Sequence, residues 1–206
     1  MNIIDTFAMA PIGAFDYKGD MQTIIDVVNE LDYIKLGTNS KSEDTYILEQ
    51  LPELKKFCIE SCEEYVREIC GATKVGIDIQ QSWVNINYTG DSAESHWHSN
   101  SYLSGVFYIA SDSKDGSPIR FSSSLRNFSY YPSESVWGTN EDTGKINPYT
   151  SANCDLASIP TKLLVFSSLL PHGVPVNRSK STRVSLSFNT TPTRPYGDET
   201  RLNRIA

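Results

Sequence analysis

No stretch of the 206-residue sequence approaches the run of about 20 apolar residues that a membrane-spanning helix requires. The first residues, MNIIDTFAMAPIGAF, also lack the basic start and the long apolar block of a secretory signal peptide. These absences argue against an integral membrane protein, and they predict a cytoplasmic location.

Basic residues are scarce relative to acidic ones. The chain carries 18 lysines and arginines against 25 aspartates and glutamates, which gives a net charge of −7. This balance excludes a general affinity for nucleic acids or anionic membranes, although a local basic groove remains compatible with it. A hydrophobic share of 39% with 21% charged residues is typical of a globular protein, and the length suits one domain with a full core.

Cysteine is also sparse, and its spacing does not match a zinc site. Cys58, Cys62 and Cys70 fall within one predicted helix, and Cys154 falls in a predicted loop. We interpret them as small apolar side chains without a functional role, and reduced thiols agree with a cytoplasmic protein.

Residues 1–74 are predicted to form a mainly helical support region. One helix starts near Asp20, where apolar residues recur at helical spacing, and Gly37 ends the segment. A polar loop, TNSKSEDT, follows. A second amphipathic helix is predicted from about Leu51 to Gly71, with Pro52 in its first turn.

Residues 75–191 are rich in short runs of Val, Ile, Phe, Tyr and Ser, broken by turn residues, and they predict a β-sandwich or jelly-roll core within the same single domain. The predicted strands are VGIDI, WVNINY, LSGVFYIA, PIRFSS, KLLVFSS and RVSLSFNT. A long loop from about Arg126 to Pro160 separates the fourth strand from the fifth and is expected to act as a lid or to lack order. Residues 192–206 form a tail.

The chain has three histidines, and all of them lie near predicted strand ends. His96 and His98, at positions i and i+2 of an extended segment, project to the same side and can bind one ion. His172 follows a predicted strand and can supply a third ligand, leaving coordination positions open for substrate and oxygen. A single His-x-His is weak evidence, since isolated histidines are more often surface or core residues.

Two strands carry polar stripes that suit an acidic ligand. In RVSLSFN, alternation places Arg183 and Ser185 on one face, where they form a fork for a carboxylate. In WVNINY, Asn85 and Asn87 share a face and can donate to a bound acid. A surface salt bridge for the arginine and structural hydrogen bonds for the asparagines are the alternatives.

Taken as an ordered series, these segments resemble the iron(II)- and 2-oxoglutarate-dependent oxygenases. The series comprises NINYTG, the His-x-His pair, LSGVFYI, FSSLLPHGV and RVSLSFN. It is most similar to a group of small oxygenases of bacteria and bacterial viruses, and it covers about Trp83 to Thr191. A viral member would act in the host cytoplasm.

The resemblance implies a double-stranded β-helix, or jelly roll, with Fe(II) at its open end and with 2-oxoglutarate and O₂ as cosubstrates. His96 would match the first metal ligand of the family and His172 the distal histidine, while Arg183 and Ser185 would hold the far carboxylate of 2-oxoglutarate. The implied reaction is hydroxylation of a substrate C–H bond.

One position departs from the broader superfamily, which carries His-x-Asp or His-x-Glu where this chain has His98. Three neutral histidines would leave the metal centre one charge unit more positive. A second register makes His98 the first ligand and Asn100 the occupant of the acidic position. We favour the first register, because it uses all three histidines.

Two other functions remain open from the sequence. One is a cupin-like dioxygenase that holds its metal with three histidines and uses no 2-oxoglutarate. The other is a non-catalytic jelly-roll module for binding or structure.

The substrate is unknown. The resemblance suggests a protein or peptide residue most readily, and small metabolites and nucleobases stay open, as does the oligomeric state. Candidate residues for the mouth of the site are Tyr102, Arg120, Tyr130, Tyr131 and Trp137, with Arg126 unassigned.

Overall fold

The computed structural model describes residues 10–72, 75–112, 117–122 and 153–193. These residues form eleven strands, two α-helices and a short 3-10 helix. In chain order the elements are β1 (Ile12–Asp16), α1 (Met21–Asn29), β2 (Tyr33–Leu36), β3 (Asn39–Ser42), the 3-10 helix (Ile47–Gln50), α2 (Pro52–Cys70), β4 (Ile77–Asn87), β5 (Ala93–His96), β6 (Leu103–Ala110), β7 (Ile119–Ser122), β8 (Asn153–Leu156), β9 (Lys162–Ser167), β10 (His172–Val174) and β11 (Arg183–Pro192).

Helix α1 begins where the sequence predicts. Asp20 caps it, because its carboxylate accepts hydrogen bonds from the backbone N–H groups of Gln22 at 2.8 Å and Thr23 at 3.3 Å. The helix ends at Asn29, well before Gly37, since the segment between them forms strand β2. Gly37 adopts a φ of 56° in the turn that joins β2 to β3, where glycine avoids a steric penalty. The polar loop predicted for this region is therefore a β-hairpin in part.

Helix α2 confirms the second predicted helix at both ends. Pro52 occupies its first turn. Gly71, with a φ of 65°, caps the end of the helix, because its backbone N–H donates to the carbonyl oxygen of Arg67 at 3.0 Å. Cys58 and Cys62 are fully buried on the face that packs on the sheet, as interpreted from the sequence. No helix of the described ranges is both long and apolar enough to span a bilayer.

The strands form two antiparallel sheets. The larger has seven strands in the order β1-β9-β6-β11-β4-β3-β2, and the smaller has four in the order β5-β10-β7-β8. Three strands of the larger sheet come from the first 74 residues, so the expectation of a mainly helical region is only partly confirmed. These strands have four or five residues each, too short for a clear alternation, and long-range pairing such as Ile12 opposite Phe166 stabilises them.

All six predicted strands are present, although the first two merge. VGIDI and WVNINY lie in the single strand β4, which pairs with β11 over its whole length. The sequence missed β5, β8 and β10 in the core region. Strand β8 falls inside the expected long loop and places the exposed Cys154 on a strand rather than in a loop. Residues 126–152 of that loop lie outside the described residues.

The elements stack in three layers, with the helices on one face of the seven-stranded sheet and the four-stranded sheet across the other. Buried side chains of β6, β7 and β9 fill the space between the two sheets: Val106, Tyr108, Ile119, Phe121, Leu164 and Phe166. The predicted sandwich is thus observed, and its interior is polar at one end, where the cavity described below opens.

Candidate active site

The three histidines converge at one end of the smaller sheet. His96, the last residue of β5, lies directly opposite His172, the first residue of β10, in the antiparallel pairing. His98 lies just beyond β5, and its backbone N–H donates to the carbonyl of Ser168 at 2.9 Å. The centre of the His96 ring is 4.6 Å from that of His172 and 5.0 Å from that of His98.

One ring nitrogen from each histidine lies within 4.8 Å of the others, so the three can share an ion. Within the described ranges, neither a carboxylate nor a thiol belongs to this cluster. The donor set is therefore three imidazoles, a set that suits iron, zinc, copper and nickel.

Backbone carbonyls fix the orientation of two of these rings. Nδ1 of His96 lies 2.8 Å from the carbonyl oxygen of Glu94, and Nδ1 of His172 lies 2.8 Å from that of Leu170. A carbonyl oxygen can only accept, so each Nδ1 carries the hydrogen and donates it. Nε2 of each ring then has a free lone pair, and such a contact is how proteins commonly orient metal-binding histidines.

Burial keeps His98 and His172 in the uncharged form that a metal requires. Burial is the main effect that lowers the pKa of His172, to about 4, and the neighbouring histidines lower it further. The ring also packs against Phe166, with the ring centres 4.8 Å apart. Burial likewise lowers the pKa of His98, with smaller contributions from His96 and Lys41. At neutral pH both His98 and His172 are neutral and able to donate a lone pair.

Gly173 allows the two histidine-bearing strands to approach closely. A Cβ atom at this position would lie 2.8 Å from the carbonyl oxygen of Ala93 and 3.1 Å from that of Glu94, both on β5. Because these are backbone atoms, a side chain could fit only if the strands moved apart. The pairing of His96 with His172 therefore depends on a glycine at position 173.

Replacing Gly173 with alanine should separate β5 from β10 and weaken binding of a divalent metal by about 10- to 100-fold, as changes that misorient ligands do. Titration of the metal-free protein with Fe(II) or Zn(II) measures this effect. Gly13→Ala on β1 is the matched control, since its Cβ would crowd the rings of Phe15 and Tyr65 at 2.9 Å, far from the cluster in the sheet order. Equal metal affinity in the Gly173 variant and the control would contradict the prediction.

A second polar group lies on the larger sheet, where β11 pairs with β4. Arg183 is opposite Asn87 and Ser185 is opposite Asn85, so the predicted polar faces of the two strands lie side by side. The Arg183 side chain is only 2% exposed. Its Nη1 donates to Asn87 Oδ1 at 3.1 Å and to Ser185 Oγ at 2.9 Å, and its Nε donates to Ser158 Oγ at 3.0 Å.

The positive charge of Arg183 has no negative partner among the described residues. All its hydrogen-bond acceptors are neutral, and its guanidinium lies 5.2 Å from the centre of the Tyr108 ring. Burial lowers the pKa of Arg183, and burial likewise raises the pKa of Tyr108 against the opposing effect of the guanidinium. A buried cation with only neutral partners is costly, and an anion would compensate it.

Two further donors beside Arg183 are buried without a hydrogen-bond partner in the described structure: Nδ2 of Asn87 and the hydroxyl of Tyr108. Buried polar groups are nearly always paired, so two unpaired ones next to an uncompensated guanidinium indicate a missing ligand. Donors gathered around a cation suit a carboxylate. The chemistry of this pocket thus fits one end of a dicarboxylic acid.

The histidine cluster and the Arg183 pocket open onto one cavity of about 460 Å³. All three histidines line it, as do Asn85, Asn87, Arg183 and Ser185. Leu36, Thr38 and Asn39 of the β2–β3 hairpin form part of its wall. Among the lining residues of the described structure, Glu94 is the one carboxylate, and it is exposed. The cavity volume is in the range of small-molecule sites.

The remaining residues predicted for the site lie in different parts of the structure, and not all of them line the cavity. Asn85 lies in the cavity wall, where its amide donates to Ser187 Oγ at 3.1 Å, so it has a structural partner. Asn100 is exposed in the turn after His98 and does not line the cavity. Tyr102 packs against the helix-side core, and Arg120 forms an ion pair with Asp155 at 2.7 Å; neither lines the cavity. Four further candidates lie outside the described residues: Arg126, Tyr130, Tyr131 and Trp137.

Sequence reasoning missed Tyr108, Ser158 and Lys41. Tyr108 falls in the apolar strand LSGVFYIA and reads as a packing residue, while Ser158 falls in the expected long loop. Lys41 belongs to the hairpin that was predicted as a loop. Only the alternation in LSGVFYIA, which puts Tyr108 on the same face as Val106, carried a usable signal.

The comparison with protein-family models decides the family. The model described as "Putative 2OG-Fe(II) oxygenase" matches residues 81–189, just over half of the chain. The chain belongs to the 2OG-Fe(II) oxygenase family. It is an iron(II)- and 2-oxoglutarate-dependent oxygenase, and Fe(II), 2-oxoglutarate and O₂ are the cofactor and cosubstrates of such enzymes.

Solved structures show that this oxygenase shares its fold with others of the kind. HygX from Streptomyces hygroscopicus, with nickel and 2-oxoglutarate bound, superimposes with a TM-score of 0.59 at 11% identity, covering 89% of this chain and 84% of its own. The non-heme alpha ketoglutarate dependent epimerase SnoN from nogalamycin biosynthesis gives 0.62 at 8% identity, covering 90% and 79%. A 2OG-Fe(II) oxygenase family oxidoreductase from Burkholderia pseudomallei gives 0.55 at 12% identity, covering 83% and 77%. No curated protein matches the chain in sequence.

Proposed function

We propose that His96, His98 and His172 hold the Fe(II), that Arg183 and Ser185 bind the distal carboxylate of 2-oxoglutarate, and that the enzyme hydroxylates a C–H bond. The observation that carries this assignment is the buried guanidinium without a negative partner, which opens onto the same cavity as the three imidazoles. The two facing antiparallel sheets correspond to the double-stranded β-helix that the family resemblance implies.

The three imidazoles meet the requirements of a metal site by their chemistry. His98 and His172 are neutral at neutral pH, and the Nδ1 contacts of His96 and His172 leave Nε2 of each ring free to bind a metal. When bound, iron supplies the redox chemistry by which one substrate molecule, 2-oxoglutarate and O₂ become the hydroxylated product, succinate and carbon dioxide.

The residues on the larger sheet bind and orient the cosubstrate. Arg183 offers its charge to the distal carboxylate, and Ser185 adds a hydroxyl 2.9 Å from Nη1. The free amide hydrogens of Asn87 and the hydroxyl of Tyr108 complete the set of donors. Because all four side chains are buried, water is excluded from the carboxylate and each contact gains strength.

With a metal ion bound, the three-histidine set adds to the positive charge of the cavity and does not offset the charge of Arg183. A carboxylate ligand in place of His98 would remove one unit of positive charge from the metal centre, and the present set does not. The dianionic cosubstrate then faces the metal at one end and Arg183 at the other. Electrostatic attraction from both ends supports binding of 2-oxoglutarate, and the missing carboxylate increases the attraction at the metal end.

We expect the protein to convert 2-oxoglutarate to succinate when Fe(II) and O₂ are present, slowly even without its substrate. Succinate is measured by chromatography, and anaerobic addition of 2-oxoglutarate to the Fe(II) protein should give a visible charge-transfer band. Protein that binds Fe(II) with all three histidines intact but shows neither signal would contradict the assignment of Arg183 and of 2-oxoglutarate to this cavity.

The same assay separates the alternative functions. A three-histidine dioxygenase that binds its substrate directly to the metal would consume O₂ independently of added 2-oxoglutarate. A non-catalytic module would take up no iron, and its melting temperature would be the same with and without metal. The uncompensated charge of Arg183 favours the 2-oxoglutarate-dependent reaction over both.

We extend the proposal to the class of substrate and to the cellular location of the enzyme. A protein or peptide residue or a small metabolite is the substrate that we expect, and the bacterial or viral source implied by the resemblance stays an expectation. The cytoplasm is the location that we propose, because Cys58 and Cys62 are free thiols one helical turn apart on α2.

A further inference from the structure

The cavity-facing side of the larger sheet continues past β4 onto the β2–β3 hairpin. Lys41 lies opposite Asn85, and Ile34 lies opposite Lys41 in the next pairing. Directly opposed residues of antiparallel strands project to the same face, so Lys41 and Ile34 share the face of Asn85. Leu36 joins them, because it is two residues from Ile34 on the same strand.

Lys41 is a half-buried cation without a negative partner in the described residues. Its Nζ lies 4.6 Å from the centre of the Trp83 ring, and burial lowers its pKa. Lys35, one strand further out and on the opposite face, forms an ion pair with Asp91 at 3.0 Å. Of the two lysines on the hairpin, Lys35 is therefore neutralised by Asp91, whereas Lys41, on the cavity side, has no negative partner among the described residues.

Trp83 connects this lysine to the histidine cluster. It lines the cavity, and the centre of its ring is 6.1 Å from that of His98. Beyond the lysine, Ile34 and Leu36 are unusually exposed for large apolar side chains, at 42% and 47%. A cation, an aromatic ring and apolar side chains thus follow one another along an open face that starts at the predicted metal centre.

We propose that this face, formed by Lys41, Trp83, Ile34 and Leu36, is the substrate subsite and that it takes an amphipathic anion. The carboxylate or phosphate of the substrate pairs with the Lys41 ammonium, and its apolar part lies on Trp83 and the hairpin. The inference rests on the proposed function, since it concerns the substrate of that same cavity. Charge complementarity supports it: the chain is acidic as a whole, yet the buried Arg183 lines this cavity and the half-buried Lys41 lies on the same face beside it, opposite the lining residue Asn85.

The test uses phenylacetate and phenyl phosphate as anionic probes and phenylacetamide as the neutral match. The indole N–H signal of Trp83, assigned with a Trp83→Phe variant, reports binding in proton–nitrogen NMR spectra. Zn(II) and saturating 2-oxoglutarate are present, so that the Arg183 pocket is filled, and the titration is repeated without them. At least one anionic probe should bind about 10-fold or more tightly than the amide, as a hydrogen bond to a charged group predicts. The tighter of the two anions identifies carboxylate or phosphate.

Lys41→Met should abolish this preference, and Lys41→Arg should retain most of it. Lys35→Met is the control, because it removes the same charge from the opposite face of the hairpin. Equal binding of the anions and the amide, no binding of any probe, or a preference that survives Lys41→Met would overturn the proposal. Calorimetric titration of 2-oxoglutarate into the Zn(II) protein, before any probe or 2-oxoglutarate is added, tests the proposed function separately, since its failure would appear there and not in the Lys41 dependence.

Discussion

Replacing His172 with alanine should abolish iron binding and 2-oxoglutarate turnover together. His172 is 6% exposed, it is held by the Leu170 carbonyl, and it contacts both other histidines of the cluster. Loss of contacts that merely orient a ligand costs about 10- to 100-fold in metal affinity, so loss of the ligand itself should cost at least about 100-fold. Equilibrium titration with Fe(II) under anaerobic conditions measures this loss.

His98→Asp is the informative companion variant. It restores the carboxylate that the broader superfamily carries at this position, so it should retain iron binding and support turnover. Circular dichroism melting of the metal-free proteins separates a folding defect from the loss of a ligand. Wild-type Fe(II) affinity in a folded His172→Ala protein would remove His172 from the proposed centre.

Replacing Arg183 with methionine should raise the dissociation constant for 2-oxoglutarate by about 100-fold or more and leave metal binding intact. Breaking a buried ion pair by removal of one partner costs about 3–5 kcal/mol, and each factor of ten corresponds to about 1.4 kcal/mol. Methionine occupies a similar volume without the charge, and the loss of an uncompensated buried cation offsets the lost hydrogen bonds to Asn87 and Ser185. The ligand-free variant should therefore stay folded.

Thermal melting gives a readout that is independent of activity. At a concentration of 100 times its dissociation constant, a ligand stabilises the folded state by about 2.7 kcal/mol, and this stabilisation should disappear in the Arg183 variant. Arg120→Met is the control, because Arg120 is exposed, pairs with Asp155 and does not line the cavity. Unchanged stabilisation by 2-oxoglutarate in Arg183→Met would place the cosubstrate elsewhere.

Local sequence patterns were sufficient to predict the helices and strands whose pattern repeats over several residues. Helix α2 carries a proline at its start, an amphipathic face and a glycine at its end, and the sequence predicts both boundaries. The six longer strand patterns were also found, and the polar face of β11 points into the cavity as alternation requires. Periodicity identifies such elements because each repeats its pattern several times.

Apart from the four-residue β7, the strands of three to five residues could not be predicted in this way, and neither could the contacts between distant segments. Strand β10 has three residues, and its pairing with β5 is what brings His172 to His96. The i, i+2 spacing predicts one extended segment for His96 and His98, and in the structure β5 ends at His96, so that His98 lies just beyond the strand. Tyr108 reaches Arg183 only through the pairing of β6 with β11, which no local pattern encodes.

The proposed centre, built from imidazole donors without a carboxylate from the described residues, would carry little intrinsic preference for ferrous iron. Imidazole ligands favour the later first-row metals, and affinity normally rises from manganese through iron, cobalt and nickel to copper. Copper, nickel and zinc should therefore compete effectively for the protein during purification. Inside the cell, the identity of the bound ion would depend on which metal is supplied in exchangeable form.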